Sequence, residues 1–449
     1  MILQKYDSYK NSGLGWIVKI PEGWRKCRFK DISLIQTSNV DKKSKEDEKE
    51  VLLCNYVDVY KNEFIDNSFD FMKATAPKEQ ISNFSLLKND VIITKDSETS
   101  EDMAEPALVI ENLNNVICGY HLALIRSKKF IENRFIFRLF QAPSFHWNFI
   151  IKSKGVTRVG LSINNAVKNQ ELFFPNKQEQ TKISNFLDKK TSQIDSKIKL
   201  LQEKIASYEE LKKSVINDII CKGLNKDVEL KDSEIEWIRK IPKHWKVERL
   251  KNFVYLKGRI GWKALKNEEY IDEGYALLTS YNLIKSKKFV NFYNKTNYIP
   301  KWRYDESPEI MIQKNDILMS KIEGRIGYVK ELEQEATINS SLMLIRTNNE
   351  NILKSMFLFY ILDSNSFLHY FNINQNGSAM QSISQEDVNY FKFPFPPKEK
   401  QIQIANYLDE KTTKIDHIVS KIKDQVETLK EFRKTLINDI VTGKVRAPE

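Results

Sequence analysis

Two acidic residues, each followed five positions later by a lysine, are the first candidates for chemistry in this sequence. Asp90 precedes Lys95, and Asp316 precedes Lys321; an acid and a lysine after a short apolar run could belong to a nuclease metal site. Such a site needs a second carboxylate before the lysine, and apolar and hydroxyl residues occupy those places. The pattern therefore favours strand ends that carry solvated charges.

Other catalytic signatures are missing from the sequence. The five histidines have no metal-ligand spacing, and no phosphate-binding glycine loop or dinucleotide fingerprint occurs. The segment 395–398 (Phe-Pro-Pro-Lys) could suggest the Asn/Asp-Pro-Pro-aromatic loop of amino-methyltransferases, but it lacks the polar residue before the prolines and the aromatic after them. A helix start is the better interpretation. We therefore predict that the chain is not itself an enzyme.

Two glycine-containing loops, 152–160 and 321–327, carry cations that could contact nucleic acid. Lysine and arginine meet phosphates, and arginine can also read guanine. An ordinary solvated loop is the alternative for any one residue; Gly155 and Gly160 could simply serve the turn, and His121 could face a ligand or lie in the core. The predicted DNA-binding residues are Lys95, Lys152, Lys154, Arg158, Lys321 and Arg325.

The elements that must position these loops occur twice. Segment 180–220 aligns without a gap with 401–441, and 15 of the 41 positions are identical. Coincidence does not hold register for that long, so the chain is predicted to alternate a variable block with a shared segment, twice. Shorter echoes at or near the same offset pair 16–24 with 237–245, 88–90 with 314–316, and 124–126 with 344–346.

The shared segments are predicted to be long helices that pair with each other. Each follows a proline and stops near a glycine, and each repeats the apolar a/d heptad pattern of a coiled coil. Lys212 and Arg433 interrupt both stripes at the same a position. The alternative is that each stripe merely covers a globular core. The predicted coiled-coil and partner-docking residues are Leu187, Ile194, Leu201, Tyr208, Leu408, Ile415, Ile422 and Leu429.

Connectivity predicts how the helices run. The second block follows the first helix and precedes the second, so short connections force the helices antiparallel, with pseudo-twofold symmetry. The blocks mix strands (91–94, 317–320, 342–345) with helices (135–140, 355–362). The predicted class is α+β: two mixed α/β domains in tandem repeat, separated by two long antiparallel coiled-coil helices. The predicted boundaries are an N-terminal segment 1–24, domain one 25–175, helix 176–223, linker 224–245, domain two 246–396, helix 397–443 and tail 444–449.

Composition narrows the class of partner and compartment. The 449 residues carry a net charge of +11, which fits a polyanion partner. No apolar run is long enough to span a membrane, and the first residues lack the apolar core of a signal peptide. Four scattered cysteines indicate reduced thiols. We therefore expect a cytoplasmic protein without a membrane partner.

The ensemble of motifs resembles the DNA-specificity (S) subunit of Type I restriction–modification enzymes over essentially the whole chain. Segments 12–24 and 233–245 resemble the family's block starts, and 175–183 and 396–404, with Gln180 and Gln401, resemble its helix starts. Segment 155–162 resembles the family's loop before the helix. Its second copy, 377–384, lacks the arginine of the first copy.

The resemblance implies a division of labour. Each block would read one half of a bipartite asymmetric DNA target, while the helices space the half-sites and dock two methyltransferase subunits. S-adenosylmethionine, ATP and Mg would bind to partner subunits, two restriction subunits among them where the complex cleaves DNA, and no cofactor would bind to this chain. A coiled-coil protein-interaction scaffold without DNA specificity is the alternative; it would show no salt-dependent DNA affinity.

Overall fold

The computed structural model describes residues 4–259, 265–285, 287–377 and 381–448. The chain divides into two compact units, the first formed by residues 1–201 and 424–449 and the second by residues 202–423. Each long helix contributes one half to each unit. Each unit therefore consists of a variable block and the helix halves on which that block packs.

The described part of the first unit contains a five-stranded sheet, a three-stranded sheet and three strand pairs. The larger sheet has the order β4 (Ser33–Thr37), β12 (Leu122–Ser127), β8 (Val91–Thr94), β10 (Pro106–Val109), β6 (Phe64–Ile65). The smaller has the order β11 (Val116–Cys118), β5 (Lys49–Cys54), β7 (Met72–Ala76). The pairs are β1 (Tyr9–Leu14) with β2 (Ile17–Pro21), β3 (Arg25–Arg28) with β14 (Glu171–Phe174), and β9 (Asp96–Ser97) with β13 (Val159–Gly160).

The second unit repeats this plan with fewer strands in the part of it that the structure describes. Its four-stranded sheet has the order β18 (Val254–Lys257), β24 (Leu342–Thr347), β21 (Ile317–Ser320), β22 (Ile326–Tyr328). Its three-stranded sheet has the order β20 (Asn297–Ile299), β19 (Tyr275–Leu278), β23 (Ala336–Ile338). The pairs are β15 (Leu230–Asp232) with β16 (Lys240–Pro242) and β17 (Lys246–Arg249) with β25 (Lys392–Phe395).

The helices follow the sequence prediction closely. The strands predicted at 91–94, 317–320 and 342–345 and the helices predicted at 135–140 and 355–362 are all present. The two shared segments form helices of 46 and 44 residues. The helices are α1 (Phe29–Ile32), α2 (Tyr56–Tyr60), α3 (Lys78–Phe84), α4 (Asn133–Phe140), α5 (Pro143–Ile150), α6 (Lys177–Lys222), α7 (Lys301–Asp305), α8 (Ser355–Leu362), α9 (Asn365–Ile373), α10 (Gln385–Tyr390) and α11 (Lys398–Val441).

Helices α6 and α11 pack antiparallel, as predicted. In the first unit, the start of α6 (Leu187) shares a core with the end of α11 (Leu436). In the second unit, the end of α6 (Ile220) shares a core with the start of α11 (Leu408). The predicted stripe faces inward: Leu187, Ile194, Leu408 and Ile422 are buried, and Leu201, Tyr208, Ile415 and Leu429 are half-buried.

The two cations that interrupt the heptad stripe form matching ion pairs. Lys212 Nζ lies 2.7 Å from Asp416 Oδ1 in the second unit. Arg433 Nε lies 2.8 Å from Asp195 Oδ1 in the first. Because Lys212 aligns with Arg433 and Asp195 with Asp416, each unit contains the same cation–acid pair between its helices. The breaks in the apolar pattern are therefore specific interhelical contacts, which favour one register of pairing.

The identical glutamines near the start of each long helix connect the helix to its block. Gln180 Nε2 donates to the Pro175 carbonyl, while Gln180 Oε1 accepts from the Glu132 N–H at 2.8 Å. Gln401 makes the equivalent bonds in the second unit, donating to the Pro396 carbonyl and accepting from the Lys354 N–H. Both glutamines are fully buried, so these bonds fix where each helix begins.

Each variable block is closed by pairing between its first and last strands. Strand β3 pairs with β14, with Arg25 opposite Phe174 and Arg28 opposite Glu171. Strand β17 pairs with β25 in the same antiparallel manner in the second unit. The chain therefore leaves each block beside the point at which it enters, and the long helix starts there.

The buried aspartates correct one expectation. Asp90 and Asp316 are not solvated: they are 3% and 0% exposed. Each accepts two hydrogen bonds from an arginine on the adjacent antiparallel strand, Asp90 from Arg126 and Asp316 from Arg346. Burial raises the pKa of Asp316, and the bonds from Arg346 oppose that rise. The short sequence echoes are thus the two halves of one ion pair, present in both units.

Burial of the helix stripe gives a direct stability test. Leu187→Ala removes a fully buried side chain from the core of the first unit, so we expect the unfolding free energy to fall by ~2–5 kcal/mol. The matched control, Leu200→Ala, alters a leucine on the same helix that is 65% exposed and should change it by less than ~0.5 kcal/mol. Urea denaturation measures both, and equal losses would contradict the assignment of the inner face.

Candidate DNA interface

A loop from the end of the first variable block is held beside the end of β8. Strand β13 pairs with β9, which sets Val159 opposite Ser97 and Gly160 opposite Asp96. The Leu161 N–H donates to the Lys95 carbonyl at 2.8 Å. These are main-chain contacts, so the loop's position does not depend on its exposed side chains.

Gly155 is required by the shape of this loop. Its φ of +143° is rarely adopted by other residues, and a Cβ there would lie 1.9 Å from the Arg158 carbonyl oxygen. The backbone interpretation of Gly155 is therefore correct. The turn brings the segment that carries Lys154 and Arg158 back on itself through two hydrogen bonds between Lys154 and Gly160.

Lys95 is enclosed by its neighbours. Its side chain is 10% exposed, and its Nζ lies 2.5 Å from Asp96 Oδ2 and 4.5 Å from the centre of the Tyr120 ring. The same carboxylate lies 3.3 Å from Nδ1 of His121, and a nitrogen of the Arg158 guanidinium lies 3.0 Å from Nε2 of that histidine. Asp96 thus contacts Lys95 and His121, and His121 in turn contacts Arg158, so two of the predicted cations belong to one cluster.

The remaining cations of the first loop differ in their exposure and in their hydrogen-bond partners. Lys152 Nζ donates to Gln170 Oε1 at 2.7 Å, and partial burial lowers the pKa of Lys152. Lys154 is exposed. Arg158 is also exposed, and its guanidinium lies within hydrogen-bond distance of His121. Lys154 and Arg158 are therefore the cations of this loop best placed to meet phosphate.

The second unit places Lys321 where the first places Lys95. The Lys321 N–H donates to the Ser341 carbonyl, and its carbonyl accepts from Ile383. Its Nζ would lie 3.0 Å from a Cβ added to Gly258, and burial lowers the pKa of Lys321. Arg325, in the loop between the antiparallel strands β21 and β22, pairs with Glu323 at 2.9 Å.

Sequence reasoning missed Asp96 and Tyr120 as members of this cluster. Asp96 follows Lys95 directly, and Tyr120 precedes His121, so adjacency to predicted residues was the available signal. In the second copy of the loop, positions 378–380 lie outside the described residues. The assignment of the six cations to DNA binding stays a prediction.

A cavity of about 520 Å³ lies within the second unit between its block and its helices. Lys212 and Lys213 of α6 line it, together with Lys287 and Asp363 of the block. Burial is the largest influence on Asp363 and raises its pKa to about 6, although Lys212 opposes the rise. The cavity wall therefore holds a carboxyl group that ionises less readily than an exposed aspartate does.

The described residues contain neither a metal-binding cluster nor a membrane-spanning helix. No group of three or more His, Cys, Asp or Glu side chains in those ranges is placed to hold a metal ion. Across the same ranges, no helix has the length and apolar character needed to cross a bilayer.

Comparison with known proteins identifies the class. The family described as the Type I restriction modification DNA specificity domain matches twice, at residues 21–206 and 242–428. The chain therefore belongs to this family, and the resemblance inferred from its motifs is confirmed. It is a DNA-recognition specificity subunit, and a scaffold without DNA specificity is not favoured.

Particular relatives agree with this membership. The chain is 23% identical to the putative type I restriction enzyme MjaX specificity subunit of Methanocaldococcus jannaschii, and the match covers 99% of each chain. It is also 23% identical to the MjaVIII specificity subunit of the same organism, over 84% of this chain and 82% of that one.

Solved structures share the fold. A chain from a structure concerned with complex assembly and conformational transition of the type I R-M system has a TM-score of 0.67 at 17% identity, covering 95% of this chain and 99% of that chain. The HsdS subunit from Thermoanaerobacter tengcongensis has a TM-score of 0.52 at 18% identity, covering 96% and 99%. The likeness confirms tandem mixed α/β domains with long helices.

The raised pKa of Asp363 predicts a pH-dependent stability difference. Because its folded pKa of about 6 exceeds the ordinary 3.8, the ionised group destabilises the fold above pH 6, and this penalty fades as the pH falls toward 4. Asp363→Asn should therefore stabilise the chain by up to ~3 kcal/mol at pH 8 and by almost nothing at pH 4.

Chemical denaturation at several pH values measures this difference. Asp227→Asn is the control, since Asp227 is an exposed aspartate of the same unit and its replacement should change the stability by less than ~0.5 kcal/mol. A difference for Asp363→Asn that stays constant with pH would show that this carboxyl does not titrate as described.

Proposed function

We propose that each variable block reads one half of a bipartite, asymmetric DNA target. The observation that carries the proposal is a duplicated framework bearing unlike surfaces. Three features recur in both units: the buried Asp–Arg ion pair, the buried glutamine that bonds the start of the long helix to the block, and the pairing of the first and last strands of the block. The Asp96–His121–Arg158 cluster belongs to the first unit, since Ile322 and Ser341 take the corresponding places of Asp96 and His121 in the second. Two readers with unlike side chains suit two unlike half-sites.

The helices would space the half-sites and carry the docking surface for two methyltransferase subunits. The outer faces of α6 and α11 are rich in exposed lysine, glutamate and glutamine, and the docking residues predicted from the stripe would act by keeping those faces in register. S-adenosylmethionine, ATP and Mg would be bound by the partner subunits and not by this chain. Where the complex also cleaves DNA, two restriction subunits would join it in the cytoplasm.

Exchange of the second block tests modular reading. Residues 246–396 contain both closing strands, β17 and β25, so a block from another family member brings its own closure. We expect methylome sequencing of cells with the chimaera to show one changed half-site and one unchanged half-site. The reciprocal exchange of residues 25–175 is the matched control and should change the other half. A change in both halves, or in neither, would contradict modular reading.

The exposed loop cations should control salt-dependent affinity. In the complex assembled with its methyltransferase subunits, Lys154→Ala and Arg158→Ala should each reduce the salt slope of DNA binding by about one, because each removes one phosphate contact. If Arg158 instead bonds a guanine, its loss should cost ~1–3 kcal/mol and relax specificity at one base.

Two further variants calibrate this measurement. Lys226→Ala alters an exposed linker lysine and should leave the slope unchanged. Lys95→Ala should mainly lower stability, because it leaves Asp96 without its closest cation. Unchanged slopes for both loop variants would move the DNA surface elsewhere on the chain.

A further inference from the structure

In the first unit, an acid from the sheet reaches the helices. Glu63 lies directly before β6, where its carbonyl accepts from the Leu108 N–H. Its carboxylate lies 2.7 Å from Arg433 Nη2 on α11 and 3.7 Å from Arg138 Nη1 on α4. Glu63 therefore connects the edge strand β6 of the sheet to Arg433 of α11 and Arg138 of α4.

Arg138 neutralises an acid of the long helix. Its side chain is 1% exposed, and its Nη2 lies 2.9 Å from Asp188 Oδ1 and 3.0 Å from Thr191 Oγ1. Burial lowers the pKa of Arg138, and Asp188 opposes that shift. A charge this deeply enclosed depends on its partners.

The second unit has a lysine where the first has Glu63. The Lys288 carbonyl accepts from the Tyr328 N–H at 2.8 Å, as the Glu63 carbonyl accepts from Leu108. The two donor strands, β10 and β22, pair with β8 and β21 in the same register. Positions 63 and 288 are therefore equivalent, and they carry opposite charges.

A second difference accompanies the first. Tyr360 is the sixth residue of α8, as Arg138 is of α4. The Tyr360 hydroxyl lies 3.2 Å from both Asp409 Oδ1 and Thr412 Oγ1, and Lys288 Nζ contacts the same Asp409 carboxylate. The helix acid thus contacts a cation at position 288 in one unit and at position 138 in the other. In the first unit Arg134 Nη1 also lies 3.1 Å from Asp188 Oδ2, whereas Met356 takes the place of Arg134 in α8.

The helix side of the contact has the same chemistry in both units. Each helix pair offers an acid, a threonine, a second acid and a cation to the block. These are Asp188, Thr191, Asp195 and Arg433 in the first unit and Asp409, Thr412, Asp416 and Lys212 in the second.

We propose that these four helix positions form a common docking surface, and that it accepts a recognition domain carrying one of two matched pairs: glutamate with arginine, or lysine with tyrosine. Either pair supplies one cation to the helix acid, and in the first unit Arg134 adds a second. In the second unit, glutamate with tyrosine supplies none and brings a second carboxylate to Asp409. Lysine with arginine crowds two cations beside Arg433 or Lys212. Both mixed pairs leave charge uncompensated in a partly buried contact, in which the side chains of Arg138 and Lys288 are 1% and 12% exposed.

This docking rule goes beyond the proposed function, since it concerns how each variable block packs on the long helices and not which bases the block reads. Its test uses the full chain without DNA, so its failure would leave DNA recognition untouched. The variants are Lys288→Glu, Tyr360→Arg and their combination, with Glu63→Lys, Arg138→Tyr and their combination as the reciprocal set. Thermal unfolding is followed for each.

We expect Lys288→Glu and Tyr360→Arg each to lower the unfolding midpoint by about 5 °C and their combination to recover most of that loss. In the reciprocal set the loss for Arg138→Tyr should be smaller, because Arg134 still pairs with Asp188. Lys285→Glu is the control, because it reverses an exposed charge of the loop that carries Lys288 and should shift the midpoint by less than about 2 °C. Combinations no more stable than the sum of their single changes would overturn the rule. Where a single variant does not fold, recovery of its folded combination supports the rule and failure of the combination overturns it.

Discussion

The pairing of the first and last strands of each block is the contact on which the remaining architecture depends. Because β3 lies against β14, and β17 against β25, the chain is returned to its starting point before each long helix begins. The buried glutamines then bond the proline carbonyl at that point and a backbone N–H of the block. A helix whose first turn is fixed in this way has its inward face fixed as well, so the apolar stripe and the interhelical ion pairs follow from the closure.

Periodicity predicted most of this framework. The heptad stripe located both long helices to within a residue or two, and short apolar runs located the central strands, because burial imposes those patterns on any sequence that folds this way. Repetition did what periodicity alone could not. Both copies carry a cation at the same heptad position, which indicated that Lys212 and Arg433 have a structural role. The structure shows that they form ion pairs with Asp416 and Asp195.

The candidate DNA interface was less predictable, because it depends on contacts between residues distant in sequence. Asp90 looked solvated since its partner, Arg126, lies on another strand, although the paired echoes of both segments were a signal of that contact. Lys95 looked free since nothing local reveals that Tyr120 covers it. Whether a side chain is exposed depends on which distant segment of the chain packs over it, and the sequence pattern around that residue does not identify the segment.

The hydrogen bonds that hold loop 152–160 affect how the candidate DNA interface can change during evolution. The loop is held by main-chain hydrogen bonds of Lys154 with Gly160 and of Leu161 with Lys95, and its turn requires one glycine, Gly155. Main-chain hydrogen bonds of this kind do not depend on which side chains the residues carry. Substitutions at the other positions of the loop can therefore change its surface contacts without changing its backbone, and they need no compensating substitutions in the surrounding fold.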